Sequence, residues 1–170
     1  MIVRHIYTIR LEDRPISPPL FSPDPVVMRN PTPEDRDMLI SLFPLSFEGT
    51  IDHRNGLMEE AEVEIDNYLT GKYGEPLFHL SQIALDSSRN CISAVLSTRW
   101  GRRKLPVIVL VMTDKRVQGR KIAGQLLWQV VSDMQRAGER EVSAVVTDGN
   151  VRSERLFARV GFQAVETITE

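Results

Sequence analysis

A basic turn that leads into a helix is the feature of this sequence best suited to chemistry. The turn follows an apolar, β-branched run at 105–113. It contains one glycine and four basic residues: Lys115, Arg116, Gly119, Arg120 and Lys121. The first amides of a helix have no partner within it and lie at the positive end of its dipole, and glycine lets the backbone approach an anion closely. The turn therefore predicts a phosphate or pyrophosphate site, although an ordinary helix start with solvated basic side chains fits the same residues.

The elements around this turn predict one mixed α/β domain. Apolar periodicity and turn residues indicate, in order, a strand at 26–29, a helix from Thr32 to Pro44, a helix at 58–69, strands at 78–85, 91–98 and 105–113, a helix at 119–137, a strand at 142–147, a helix at 150–160 and a strand at 162–168. Elements in this order pack as helices around one sheet.

The first 25 residues differ from the rest of the chain. Residues 1–11 alternate loosely between apolar and polar side chains, which fits a strand that extends the sheet, an arm that crosses to a second copy in a homodimer, or a disordered segment. Residues 12–25 contain five prolines, each of which fixes φ and removes a donor, and they predict an extended connector. We therefore expect a strand or arm with its Pro-rich connector at 1–25 and one domain at 26–170.

The composition argues against several other classes of protein. The chain has 170 residues, of which 42% are hydrophobic and 26% charged, and its net charge of −2 gives no general case for nucleic-acid or membrane binding. No apolar run reaches the roughly 18 residues that a membrane span needs. The one cysteine, Cys91, and three scattered histidines predict neither an internal disulfide nor a metal site. This composition fits a reducing cytoplasm.

Two motifs resemble the signatures of the GNAT N-acetyltransferases, which transfer acetyl from acetyl-CoA to an amine. The first signature, Gln/Arg-x-x-Gly-x-Gly/Ala at a strand-to-helix turn, is represented by residues 118–123. The second is an Asn after a strand, an aromatic residue seven positions later and then Gly-Phe, represented here by Asn150, Phe157, Gly161 and Phe162. The resemblance covers about 26–165, with all elements in family order, and points to an uncharacterised bacterial branch.

The resemblance implies a mixed, mostly antiparallel sheet flanked by four helices, with acetyl-CoA as the co-substrate. Main-chain groups of Val111, Met112 and Thr113 would pair with the pantetheine arm. Asn150 would contact the same arm, and Phe157 would lie in the same cofactor site. The pyrophosphate would be held by the amides of Gln118, Gly119, Arg120, Lys121, Ile122 and Ala123.

Two residues depart from the family pattern. Lys121 occupies the position of the motif's central Gly, where we expect it to add a charge beside the phosphates, because only a positive φ or a very close backbone approach demands Gly. Phe157 occupies the position where many members have a Tyr as general acid, and a phenyl ring cannot donate a proton. A thiolate with a thiol pKa of about 8.5 is a fair leaving group, so solvent could protonate it. The resemblance also implies that Arg116 or Arg120 reaches the adenosine 3′-phosphate.

Acetyl transfer also needs a base, because an ammonium with a pKa of about 10.4 must lose a proton before it attacks. Asp148 is the first candidate, since it follows the strand at 142–147, although a simple turn residue fits it as well. Asp52 is the second, because it shares with His53 the loop where family members usually form the acceptor pocket; a solvated loop carboxylate is the alternative. His79, in a predicted strand, is more simply a structural residue.

Charge is unevenly distributed along the chain. Eight of the 21 basic residues fall in 99–121, and ten acidic residues fall in 34–66. A basic side suits the phosphates of CoA, and an acidic side favours a cationic acceptor. The sequence therefore predicts an N-acetyltransferase that acts by direct transfer on an amine of a small molecule or a protein. The alternative is a CoA-binding sensor without catalysis, because Phe157 replaces the Tyr and no base is obvious.

Overall fold

The computed structural model describes residues 1–12, 15–16, 26–52 and 57–170. Its strands are β1 (Val3–Arg10), β2 (Val27–Arg29), β3 (Glu75–Pro76), β4 (Gln82–Leu85), β5 (Cys91–Trp100), β6 (Leu105–Thr113), β7 (Glu141–Thr147) and β8 (Gln163–Thr169). Its helices are α1 (Arg36–Phe47), α2 (Leu57–Leu69), α3 (Ile122–Arg136) and α4 (Val151–Val160), with short 3₁₀ turns at Pro33–Asp35, Phe78–Leu80 and Lys115–Val117. Within the described ranges, no helix is long and apolar enough to cross a membrane.

The strands form one sheet in the order β2–β4–β5–β6–β7–β1–β8, and β3 pairs with β5 beside this path. All described pairings are antiparallel except that between β6 and β7. Parallel neighbours need a crossover connection, and α3 supplies it. The predicted mixed, mostly antiparallel sheet with four helices is confirmed.

Two apolar cores lie on the two faces of the sheet. One contains buried residues of α3 and α4, including Leu126, Val130 and Met134 at four-residue spacing, packed on β-strand residues such as Ala144. The other contains buried residues of α1 and α2 packed on strand residues such as Met112. The buried stripe of α3 is the one that its periodicity predicts. Each helix pair therefore holds one face of the sheet that carries the candidate site.

The N-terminal strand β1 lies inside this sheet, between β7 and β8, and is antiparallel to both. For example, His5 lies opposite Val146 of β7 and Thr167 of β8. Of the three structures considered for residues 1–11, the chain therefore adopts a strand in its own sheet. Most of the predicted connector, at 13–14 and 17–25, lies outside the described residues, and the domain division at residue 25 stays a prediction.

Several element boundaries differ from those predicted, and the short strand β3 was not predicted. Helix α1 continues past Pro44 to Phe47, where the rings of Phe43 and Phe47 lie 4.6 Å apart and stabilise the last turn. The predicted strand at 78–85 begins only at Gln82, because Phe78–Leu80 forms a 3₁₀ turn. His79 therefore lies in a turn rather than in a strand.

Candidate active site

Strands β6 and β7 separate near the middle of the sheet. Their described pairing involves only Val107 and Ile108 of β6. The next residue, Val109, lies in a β-bulge, since Ile108 and Leu110 pair with consecutive residues of β5. A bulge bends its strand and removes a residue from the regular ladder. Beyond this point the facing edges of β6 and β7 border a cleft rather than each other.

The cleft has a volume of about 670 Å³. Val107 to Val111 of β6 and Val145 to Thr147 of β7 line it from the two separated strands. Its other walls include Arg4, Asp52, Glu60, Glu64, Tyr73 and Trp100. This volume lies in the range of roughly 300–1,000 Å³ that is typical of small-molecule sites.

Of the three β6 residues expected at the pantetheine arm, Val111 presents its main-chain groups to the cleft. The Thr113 N–H donates to Ser46 Oγ at 2.9 Å, and the Thr113 carbonyl accepts from Gln118 Nε2 at 3.0 Å, so both groups point away from β5. Main-chain direction alternates along a strand, so Val111 points the same way and Met112 points toward β5. The Met112 carbonyl accordingly accepts from a β5 hydroxyl at 3.0 Å. An extended ligand would thus find main-chain partners at Val111.

The buried carboxylate of Asp114 holds the turn after β6. Its Oδ1 accepts from the main-chain N–H of Arg116 at 2.9 Å, and its Oδ2 accepts from the Arg116 guanidinium at 2.6 Å. Hydrogen bonding to this guanidinium holds the pKa of Asp114 below its ordinary value. The side chain of Arg116, which with Arg120 was one of two candidates for the 3′-phosphate, is therefore bound to the turn itself.

The loop before α3 contains two residues in the left-handed backbone conformation. Gly119 has a φ of +80° and Lys121 a φ of +68°. Lys121 is the N-cap of α3, so the helix begins at Ile122 and not at the predicted residue 119. A positive φ is the condition that favours glycine, so the ordinary backbone expected for Lys121 is not observed. A Cβ added at Gly119 would meet nothing within 4 Å, which indicates open space beside the loop.

The side chain of Gln118 connects the end of β6 to α4. Its Nε2 donates to the Thr113 carbonyl at 3.0 Å, and its Oε1 accepts from the Arg152 guanidinium. Gln118 therefore attaches the start of the loop both to the end of β6 and to α4. The sequence did not single out Arg152, because it lies 34 residues from Gln118 and only the packing of α4 brings the two together.

The first turn of α3 presents main-chain amides at the end of this loop. The Gln125 N–H donates to the Lys121 carbonyl at 3.1 Å as the first main-chain bond of the helix. The amides of Ile122, Ala123 and Gly124 precede it and lie at the positive end of the helix dipole. The first turn contains no acidic residue. An anion is therefore the ligand that this helix start favours.

Asp52 and Asn150 lie in contact although they are 98 residues apart. Asn150 Nδ2 donates to Asp52 Oδ2 at 2.7 Å, while Asn150 Oδ1 accepts from the Ser153 N–H at 3.1 Å and caps α4. Both residues line the cleft, together with Phe157. Phe157 is buried, with its ring edge-on to Phe162 at a centroid distance of 5.1 Å. The cleft thus brings together one candidate base and the aromatic ring that has no proton to donate.

Asp148, the other candidate base, borders a second pocket of about 370 Å³ that also includes Asp52 and Thr147. His5 Nε2 donates to Asp148 Oδ1 at 2.9 Å, and His5 Nδ1 lies 3.0 Å from the Thr167 hydroxyl. The Asp148 side chain is 61% exposed. Because Asp52 lines both pockets and Asp148 only the smaller, Asp52 has the better access to the main cleft.

Helix α2 contributes polar groups that the sequence did not assign to a site. Glu60 and Glu64, one helical turn apart, both line the cleft. The Tyr73 hydroxyl donates to Glu64 Oε2 at 2.7 Å and accepts from Asn67 Nδ2 at 3.1 Å. Burial raises the pKa of Tyr73. In the sequence these glutamates belong to the acidic stretch at 34–66. His53, from the neighbouring loop, lies outside the described residues.

Solved structures show where this fold occurs among known proteins. The GCN5-related N-acetyltransferase from Sphaerobacter thermophilus is 19% identical with a TM-score of 0.74, over 98% of this chain and 49% of that one. The diaminobutyrate acetyltransferase from Paenibacillus lautus was solved in complex with L-2,4-diaminobutyric acid and coenzyme A. It is 20% identical with a TM-score of 0.60, over 79% of this chain and 74% of that one. An aminoglycoside N-acetyltransferase in complex with CoA is 14% identical with a TM-score of 0.62, over 86% of this chain and 93% of that one.

The similar structures establish the fold of this chain, and a match to a family model establishes its family. The chain spans about half the length of the Sphaerobacter protein, and identities this low establish the shared fold alone. No curated protein matches the chain in sequence. Residues 52–162, which make up more than half of the chain, match the Acetyltransferase (GNAT) family. The chain therefore belongs to the GNAT acetyltransferase family.

Proposed function

We propose that the protein transfers the acetyl group of acetyl-CoA directly to an amine of a small molecule or a protein. The observation that carries this proposal is the separation of β6 from β7 next to a helix start that favours an anion. The open space at Gly119 and the lack of an acidic residue in the first turn of α3 fit a phosphorylated ligand. The structures of similar fold that contain CoA support the same choice.

Several residues would hold acetyl-CoA, which supplies the activated acyl group. Val111 would bond the pantetheine arm as an added strand does, with Met112 and Thr113 shaping the same edge. Asn150 and Phe157 would border the arm, since both line the cleft. The pyrophosphate would bind at the loop and helix start formed by Gln118, Gly119, Arg120, Lys121, Ile122 and Ala123.

Asp52 would act as the base. It lines the cleft, and its hydrogen bond from Asn150 fixes one carboxylate oxygen and leaves the other to accept a proton from the acceptor ammonium. A main-chain N–H of the bulge at Val109 would donate to the carbonyl oxygen of the thioester as negative charge develops there. Phe157 donates no proton, so solvent would protonate the thiolate. Asp148, paired with His5, is the second candidate base.

The test combines ligand binding with turnover. Acetyl-CoA should raise the melting temperature of the purified protein, and free thiol should appear when an amine panel is added. Asp52→Asn should keep the thermal shift and lower kcat by about 100-fold or more, the usual range for loss of a general base. Asp37→Asn, which changes an exposed carboxylate on α1, is the matched control and should leave kcat unchanged. Full activity of Asp52→Asn would transfer the role of base to Asp148.

A CoA-binding sensor is the second candidate function. It is favoured by Phe157, whose buried ring occupies the position of the family's proton-donating Tyr. A large thermal shift with acetyl-CoA and no thiol release with any amine would support the sensor. No thermal shift would contradict both functions. The cytoplasmic location and the homodimer through the N-terminal strand stay predictions.

A further inference from the structure

Arg4 brings a positive charge into the cleft from the inserted strand β1. It lies directly opposite Thr147 of β7, and both side chains line the cleft. Among the described lining residues Arg4 is the one basic side chain. Four acidic residues line the same space: Asp52, Glu60, Glu64 and Glu170. Neither the proposed base nor the proposed cofactor site assigns a role to this arginine, although it lies among carboxylates in a cleft of ligand size.

The guanidinium of Arg4 is incompletely hydrogen-bonded. Its Nε atom is buried and has no hydrogen-bond partner among the described residues. Its Nη2 atom lies 3.5 Å from Glu170 Oε2, longer than the roughly 2.7–2.9 Å of a charge-assisted hydrogen bond. Buried polar atoms in folded proteins are nearly always bonded to protein, water or ligand. The Arg4 side chain is 30% exposed, so the accessible end of its guanidinium retains donors that an anionic ligand in the cleft can use.

The positive and negative groups of the cleft lie on different elements. Arg4 and Tyr73 line the same cleft. Burial raises the pKa of Tyr73, and the positive charge of Arg4 lowers it in part. Tyr73 in turn donates to Glu64 on α2 at 2.7 Å. Arg4 comes from the sheet and Glu64 from the helix layer that covers it. A small acceptor with both an ammonium and a carboxylate would match both groups.

We propose, on the basis of the acetyltransferase function above, that Arg4 binds a carboxylate of the acceptor, so that the preferred acceptor is a free amino acid rather than a plain amine. A planar guanidinium can bond a carboxylate through two parallel N–H groups. Glu170 is the group that the ligand carboxylate displaces from Arg4. Its side chain is 55% exposed, and exposed ion pairs contribute little, so the exchange costs little.

The experiment uses acceptors that differ by one carboxylate: L-lysine against 1,5-diaminopentane, and L-2,4-diaminobutyrate against 1,3-diaminopropane. Thiol release from acetyl-CoA gives kcat and KM for each. The unmodified protein should prefer each amino acid by about tenfold or more in kcat/KM, and Arg4→Gln should raise the KM for the amino acid about 10- to 100-fold with kcat nearly unchanged. The KM for the diamine should not change. Arg4→Lys should raise the KM for the amino acid less than Arg4→Gln does, because lysine keeps the charge but lacks the planar guanidinium.

Two control variants sharpen the test. Glu170→Gln removes the competing carboxylate and should lower the KM for the amino acid. Arg10→Gln, an exposed residue at the far end of β1, should change neither KM. Equal use of both members of a pair by the unmodified protein would overturn the proposal. So would an equal effect of Arg4→Gln on both members, or loss of its thermal shift with acetyl-CoA.

A binding measurement separates this proposal from the proposed function. Calorimetric titration of the CoA-loaded protein should detect the amino acid, and Arg4→Gln should abolish that signal. Arg4-dependent binding without thiol release would support the carboxylate site and contradict acetyl transfer. Thiol release with diamines and no binding of amino acids would support acetyl transfer and contradict the carboxylate site.

Discussion

The backbone of Lys121 allows stability and cofactor binding to be tested in one residue. Lys121 has φ +68° and ψ +10°, and a residue other than glycine costs about 1–2 kcal/mol in this conformation. Glycine removes that cost but loses about 0.5–1 kcal/mol through the greater freedom of the unfolded chain. Lys121→Gly should therefore raise the free energy of unfolding by about 0.5–1 kcal/mol. For a chain of this size that corresponds to an increase of about 1–4 °C in Tm.

The same substitution removes a positive charge from the proposed pyrophosphate site. An exposed charge near a helix start contributes about 0.3–1 kcal/mol to binding an anion, so the Kd for CoA should rise about two- to fivefold, and more at low salt. Scanning calorimetry without ligand measures the first effect, and calorimetric titration with CoA measures the second. The two effects have opposite signs for the protein: a more stable fold and a weaker complex.

Two further variants separate backbone strain from charge. Lys121→Ala removes the charge and keeps a Cβ, so it should weaken CoA binding without raising Tm. Lys104→Gly changes another left-handed lysine, with φ +49° in the turn between β5 and β6, and should raise Tm without changing CoA binding. Equal Tm values for Lys121→Gly and Lys121→Ala would refute the strain argument. Tighter CoA binding by Lys121→Gly would refute the role of the charge.

Two buried groups outside the cleft give further expectations. Burial raises the pKa of Cys91 from 9.0 to about 12, so its thiolate should be about 1,000-fold scarcer than that of a free thiol, and a disulfide reagent should label it only after unfolding; rapid labelling of the folded protein would contradict this. Two hydrogen bonds of 2.7 Å from Arg29 hold the pKa of Asp35 below its ordinary value. The resulting stability is present above the unfolded pKa of about 3.9 and is lost as pH falls through the folded pKa. Asp35→Asn should therefore cost about 2 kcal/mol at pH 7 and less at pH 3, measured by urea unfolding.

Local patterns in the sequence were sufficient for most elements and for the position of the turn proposed to bind an anion. The apolar stripe of α3, with Leu126, Val130 and Met134, is periodic over the whole helix, so its buried face follows from spacing alone. The turn after β6 combines residues that are neighbours in the chain. The match to the GNAT family and the order of the elements could be anticipated because both depend on short-range spacing.

The backbone of the loop could not be predicted in the same way. The sequence shows Lys121 where a glycine is usual, but its left-handed conformation depends on how β6 and α3 hold the loop between them. Gln118 shows the same dependence, since its side chain bonds both Thr113 and Arg152. Conformation at such a position is set by its surroundings and not by its own propensity.

Short-range sequence patterns predicted the four helices and most of the strands, because hydrophobic period and turn chemistry act over a few residues. They left the structure of residues 1–11 open and did not indicate β3. The position of β1 between β7 and β8 follows from packing, since alternation in a strand does not specify its neighbours. That insertion places Arg4 in the cleft, and the packing of α4 brings Asn150 to Asp52 across 98 residues. The proposed cofactor turn is therefore encoded locally, whereas the proposed acceptor side of the cleft is assembled from distant segments by the register of the sheet.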